Sequence, residues 1–278
     1  MSFLVLLLLV WVEKFSAWRR RVQNDGPWLR QLAGLQARPR LAARPGLILA
    51  VSVLLPVLLL AALLLVLQPL AYGWLALPVH LLVMIYSLGR GDVLAELGAF
   101  RDAWRRGDGE AAYRVAERDL GLQAEDQADL LGGAQAYLLW HGYQRFFAVI
   151  FWYALLGPTV ALGYRLLALT VEHATEPALQ ARAQQWRHAL DWLPVRVLAA
   201  SFALVGDFVA VSRVLLHDVL AWDVPAARFV TLSGRAAADV AQPVLGESGV
   251  AGLDALWQLL VRAALLWYVA FAVWVLLL

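Results

Sequence analysis

The sequence predicts an all-α, polytopic helical membrane protein, and three observations carry the prediction. Hydrophobic residues fill 62% of the 278 positions and charged residues only 16%, whereas soluble domains hold roughly 45–50% apolar residues. Several apolar stretches reach the roughly 20 residues that cross about 30 Å of hydrocarbon as a helix. Between them the pattern changes to amphipathic helix, with polar faces and stop signals. Mean hydropathy is +0.66; a chain this apolar needs a second apolar solvent, and lipid supplies it.

The opening run, residues 3–12, is too short to span alone. It crosses only by recruiting residues 13–18, or else it lies in the interface. No basic segment precedes it and no small-residue cleavage site follows, so it is expected to be retained rather than removed as a signal peptide. Residues 46–67, 70–88, 146–167 and 259–278 each meet the length test. A fifth stretch, 193–216, has the length but carries Arg196, Asp207 and Arg213. About five transmembrane helices are expected, in a single integral membrane domain covering residues 1–278.

Basic residues in short loops set orientation. Residues 13–44 hold eight basic side chains against two acids, Glu13 and Asp25, while the turn Gln68-Pro69 holds none. Residues 90–145 hold seven basic against ten acidic side chains, and acids count little in this rule. The first two long stretches therefore form a hairpin with its tip outside and both flanks in the cytoplasm. Residues 165–193 then fall outside, 217–258 inside, and the C-terminus outside. Trp74, Trp140, Trp186, Trp192, Trp222 and Trp257 fall near the expected boundaries, as interfacial tryptophans do. Arg19-Arg20-Arg21 beside Trp18 is expected to face lipid headgroups.

Residues 89–145 are expected to be a cytoplasmic amphipathic insertion. Val93, Leu97, Phe100 and Trp104 recur at helical spacing and share one stripe. Gly107-Asp108-Gly109 interrupts, residues 110–120 form a second helix that Gly121 ends, and residues 125–127 start a third. That third helix runs toward residue 156, where Pro158 kinks or breaks it. Residues 168–192 are expected to be an extramembrane helical loop, with Leu179, Ala183, Trp186 and Leu190 on one face. Residues 217–252 are less regular, punctuated by Pro225, Gly234, Pro243, Gly246 and Gly249.

Composition excludes several chemistries. There is no cysteine, hence no disulfide, thiolate metal site or thiol nucleophile. The one lysine, Lys14, follows no glycine loop, so nucleotide binding of the Walker type is absent. A net charge of +2 gives no argument for nucleic acid. His80, His141, His173, His188 and His217 are scattered, and no serine has a nucleophile-elbow setting. No catalytic residue, metal site or cofactor is expected.

Two regions are candidates for binding. Asp207 falls near the middle of a predicted span, where a charge costs at least about 2.5–3.5 kcal/mol and must face protein or water. It is either a structural ion pair with Arg196 or Arg262 of a neighbouring helix, or a proton or ligand site. In Asp191-Trp192-Leu193-Pro194-Val195-Arg196, an acid and a base bracket a proline at an expected helix entry. Pro194 in a first turn and Asp191 near a helix N-terminus are both explained by capping and the dipole; a ligand site is the alternative. His188, three residues before Asp191, completes the ligand-binding candidates.

Leu190-Asp191-Trp192-Leu193-Pro194-Val195-Arg196, the opening Trp11-Val12-Glu13 and the aromatic stretch Tyr137 to Tyr153 resemble the AmpE family. Its members are inner-membrane signalling proteins encoded beside the AmpD amidase in Gram-negative bacteria. The resemblance covers essentially the whole chain. It implies distant kinship with the cobinamide-phosphate synthases, ATP- and magnesium-dependent membrane enzymes. Where those enzymes carry a run of acids, this chain has Ala136, Trp140, His141, Gln144 and Arg145. Arg187 and His188 stand in place of a second acidic pair, while Asp191, Leu193, Pro194 and Arg196 match the tail of that motif. Magnesium–phosphate chemistry needs such carboxylates. The resemblance thus implies a non-enzymatic inner-membrane sensor or signalling modulator associated with β-lactamase induction and cell-wall recycling. Its partners would be the lipid bilayer and a cytoplasmic protein or a cell-wall-derived ligand. The alternatives are a membrane synthetase or transferase, or a small transporter with Asp207, His80 and arginines along a polar path.

Overall fold

Proline sets several helix starts in this chain, because its missing N–H and fixed φ suit a first turn. The computed structural model describes residues 23–69, 74–89, 93–240 and 247–277. The expectations for residues 3–18 and for Arg19-Arg20-Arg21 lie outside that set. The described residues are helices and connecting turns, with no strand among them. The chain forms two compact units, one of Met1–Arg90 with Ala148–Asp191, the other of Gly91–Phe147 with Trp192–Leu278.

The first unit begins with α1 (Gly26–Gln36), which carries Pro27 in its first turn. Next comes α2 (Pro45–Leu67), 23 residues long, with Pro45 in its first turn and a π-helical turn at Ala50–Leu54. Its length and composition suffice to cross a bilayer, and only 17% of its most apolar window is buried within the protein. Leu58, Leu59 and Leu65 stand exposed along it, as expected of a helix whose solvent is lipid. Helix α3 (Ala76–Ser87) has 12 residues, well short of the stretch 70–88 and of the length needed to span. The amide of Gln23 closes the end of α3 by donating to the carbonyls of Ile85 and Leu88, at 2.9 and 2.7 Å.

Trp28 and Leu32 of α1 bury against Ile48, Leu166, Leu169 and Leu179. The Trp28 indole donates to the carbonyl of Ser52 at 2.9 Å, which leaves its buried N–H satisfied. At the end of α1, the side-chain oxygen of Gln36 accepts from the backbone N–H and the hydroxyl of Thr175, both at 2.8 Å. Two residues in direct contact lie on the same side of any membrane. Residues 173–179 therefore sit at the same end of α2 as residues 26–44, where the expectation set them on opposite faces of a membrane.

The stretch 146–167 is not one helix. The chain passes from α6 (Gln127–Gly142) through a π-helical turn, Tyr143–Phe147, into α7 (Ala148–Leu156). Gly157 then stops it, with φ 81° and ψ −171°, a backbone region open essentially to glycine alone. After it α8 (Pro158–His173) starts, and α7 and α8 pack against each other.

Helix α9 (Pro177–Val205) is 29 residues long and meets the length and apolarity of a crossing helix. It begins 16 residues before the expected entry at residue 193, so Pro194 is an internal proline and not a first-turn residue. The division between the two units falls within it, after Asp191.

The second unit also holds α4 (Gly98–Arg105), α5 (Gly109–Val115), α6, α10 (Phe208–Asp218), α11 (Ala226–Ala237) and α12 (Glu247–Leu277). The predicted stripe is its core: Val93, Leu97, Phe100 and Trp104 are all buried. Asp126 caps α6 by accepting from the N–H of Asp129 at 2.7 Å. The stretch 193–216 breaks at Gly206-Asp207, between α9 and α10. A Cβ on Gly206 would meet the carbonyl oxygen of Ala237 at 2.5 Å, and the N–H of Asp207 donates to that same oxygen at 2.9 Å. In α12, Gly249–Trp274 is the third helix stretch able to cross by length and composition. Three such helices stand among the described residues; of the other two stretches expected to span, Gly157 divides 146–167 and α3 falls short of 70–88.

Candidate functional site

The i, i+4 row along the first half of α9 is buried: Leu179, Ala183, Arg187 and Asp191. An amphipathic helix buries such a row. Here two charged residues occupy it, while Trp186, expected to share a face with Leu179 and Ala183, is 60% exposed. Asp191 is 2% exposed. Its Oδ1 accepts from the Tyr164 hydroxyl of α8 at 2.8 Å, and its Oδ2 lies 3.4 Å from Nε of Arg187, one turn earlier. Arg165, the neighbour of Tyr164, bridges Asp25 at 3.2 Å. Successive residues of α8 therefore hold two buried acids of the first unit, one from α9 and one preceding α1.

A buried ion pair gains little net stability, yet removing one partner costs about 3–5 kcal/mol because a charge is left unpaired. Asp191 is thus neither a helix cap nor a dipole partner. It is a carboxylate bracketed by a phenol and a guanidinium, which a cationic or hydrogen-donating ligand reaches only by displacing one of them. His188 is partly exposed on the same helix.

In the second unit, Arg196 spends its donors on backbone carbonyls. Nε donates to Val219, Nη2 to Ala221 at 2.6 Å and Nη1 to Trp192 at 2.7 Å. Its guanidinium carbon lies 4.1 Å from the centre of the Trp192 ring and 5.1 Å from that of Phe229. Val219 follows the last turn of α10, where orphan carbonyls attract a cation. Pro194 is buried, one turn after Leu190, and cannot donate to the Leu190 carbonyl as an ordinary residue would. Asp207 is exposed and caps α10, its Oδ1 accepting from the N–H of Ala210 at 2.9 Å. It stands at a helix boundary instead of mid-span, which removes the need for an arginine partner.

Sequence reasoning did not single out a groove of about 520 Å³ between α6 and α11, a size ordinary for small-ligand sites. Tyr137, Trp140 and His141 form one wall, and Arg228, Thr231 and Leu232 the other. The Tyr137 and His141 rings lie 4.1 Å apart. The Tyr137 hydroxyl donates to Glu96 at 2.9 Å, and Arg145 bridges the other oxygen of Glu96 at 2.7 Å. Burial, reinforced by Glu96, raises the Tyr137 phenol above its ordinary value. The signal available beforehand was Tyr137, Trp140 and His141 at i, i+3 and i+4, an aromatic stripe on one helix face. No group of three or more His, Asp or Glu placed to hold a metal ion occurs among the described residues.

Comparison with known proteins places this architecture. Residues 1–231 match the family model described as regulatory signalling modulator protein AmpE. The chain belongs to the AmpE family. It is 30% identical over 156 residues to Protein AmpE of Shigella flexneri, a match covering 52% of this chain. The chain spans about half of that relative's length, 55%. No solved structure matches. Membership of the AmpE family agrees with a helical membrane scaffold and with a role as a signalling modulator.

Proposed function

We propose that the protein is a non-enzymatic modulator of the inner membrane that links the state of the cell wall to β-lactamase induction. Its input is a cell-wall-derived ligand or a cytoplasmic protein partner. The observation that supports this most is the match of residues 1–231 to the regulatory signalling modulator family, on a chain with three helices able to cross a bilayer.

Within that reading, Asp191 and His188 are the ligand-proximal residues. Asp191 is buried and held by groups a ligand can replace, and buried ionisable residues in membrane helices are functional by default. Pro194, Arg196 and Asp207, in the second unit, act on the backbone around them.

The test is a clean deletion in a Gram-negative host, with β-lactamase induction and cell-wall precursor pools measured before and after a β-lactam challenge. Loss or distortion of induction that the wild-type gene restores, and Asp191→Asn does not, supports the proposal. Unchanged induction and pools in the deletion strain would sink it.

A further inference from the structure

The lipid-facing helix α2 is preceded by a short basic segment that contains no acid of its own. Arg38, Arg40 and Arg44 lie between α1 and α2, and all three side chains are exposed. From Gly26 to Gly91 the sequence contains no Asp or Glu. Asp25, the nearest acid in sequence, is buried and held by Arg165 at 3.2 Å. None of the three arginines makes a side-chain hydrogen bond or ion pair among the described residues.

The backbone holds them at the surface. Arg38 and Arg44 each precede a proline, Pro39 and Pro45, and lie outside the helical region, at φ −91° and −130°. A residue before proline avoids helix for steric reasons. The four-residue helix Pro39–Ala42 carries Arg40 between them. The segment is therefore a fixed elbow, and it leads without a break into a helix whose apolar window is only 17% buried.

We propose that Arg38, Arg40 and Arg44 form a binding surface for anionic phospholipid headgroups. A guanidinium donates in a planar fork that matches the non-bridging oxygens of a phosphodiester. Three of them at the end of a lipid-exposed helix sit where headgroup phosphates lie while the acyl chains run along α2. Zwitterionic lipid offers the same phosphate with a competing cation, so the surface selects lipids whose headgroup carries net negative charge.

The experiment places the purified full-length protein in nanodiscs of mixed phosphatidylcholine and phosphatidylglycerol and counts retained lipids by native mass spectrometry. Wild type is expected to retain phosphatidylglycerol, and the triple variant R38Q/R40Q/R44Q to retain about tenfold less. R38K/R40K/R44K, which keeps the charge, is expected to fall between. Equal retention by wild type and the triple glutamine variant overturns the proposal. Displacement of the lipid from wild type by millimolar inorganic phosphate also overturns it, because the surface would then be a site for soluble anions. Should the glutamine variant fail to fold, the wild type decides the matter: retention must fall steeply between 0.05 and 0.5 M salt, about as Debye screening dictates, and flat retention refutes the surface.

Discussion

The Tyr164 hydroxyl donates a 2.8 Å hydrogen bond to Oδ1 of Asp191, and both side chains are closed to solvent. The bond ties α8 to α9 within the first unit, and Arg187 occupies the other oxygen of the same carboxylate. Tyr164→Phe is expected to destabilise the protein by about 1–3 kcal/mol, since a buried acceptor loses its donor. Asp191→Ala is expected to cost about 3–5 kcal/mol, because the buried Arg187 guanidinium loses its carboxylate. Thermal unfolding in detergent measures both. If Asp191→Ala proves milder than Tyr164→Phe, the ion pair is not what the carboxylate is for.

Arg196 makes a different kind of demand. Three backbone carbonyls on two chain segments accept from one planar group, and an ammonium cannot reproduce that fork. Arg196→Lys is therefore expected to lose about 2–3 kcal/mol, close to the loss in Arg196→Ala. Limited proteolysis reports it directly, through faster cleavage in residues 219–225. A lysine variant as resistant as wild type would contradict the clamp.

The contact between Gln36 and Thr175 makes a topological prediction. The chain has no cysteine, so single cysteines can be introduced at two exposed alanines, Ala37→Cys and Ala178→Cys. A membrane-impermeant maleimide should label both from the same face of sealed vesicles. Labelling from opposite faces would show that α1 does not pack against the start of α9.

Tyr137 supplies a pH signature. Its folded-state pKa is raised, first by burial and then by Glu96, so the fold favours the neutral phenol. The resulting stability is complete below the unfolded-state pKa of about 10 and is lost as pH rises through the folded value. The difference in phenolate absorbance between wild type and Tyr137→Phe should titrate above the range of the exposed tyrosines. A titration at or below about 10 would contradict the bond to Glu96.

Much of the second unit was legible in the sequence. Val93, Leu97, Phe100 and Trp104 reach the core because helical period and burial coincide there, and Gly107 to Gly121 punctuate the chain where expected. The apolar stretches were less legible. Hydropathy averages over a window and does not register a single residue such as Gly157 or Gly206 that ends a helix. Pro194 misled for a related reason: a proline marks a helix start only when nothing upstream has already begun the helix, and Pro177 had. The candidate site was half visible. Asp191 stood out as part of a motif, but its partners did not. Arg187 is one turn away, but nothing in the sequence marks it as buried, since charged residues on a helix are ordinarily solvated, and Tyr164 lies on another helix altogether.

Contact between Gln36 and Thr175 also imposes a parity on the chain. If α2 carries it across a bilayer, then an even number of traverses must separate residue 44 from residue 173. Gly157, at φ 81°, makes the turn between α7 and α8, which an L side chain there would resist. A single glycine thus sets the direction in which the chain enters α8, the helix whose Tyr164 holds Asp191.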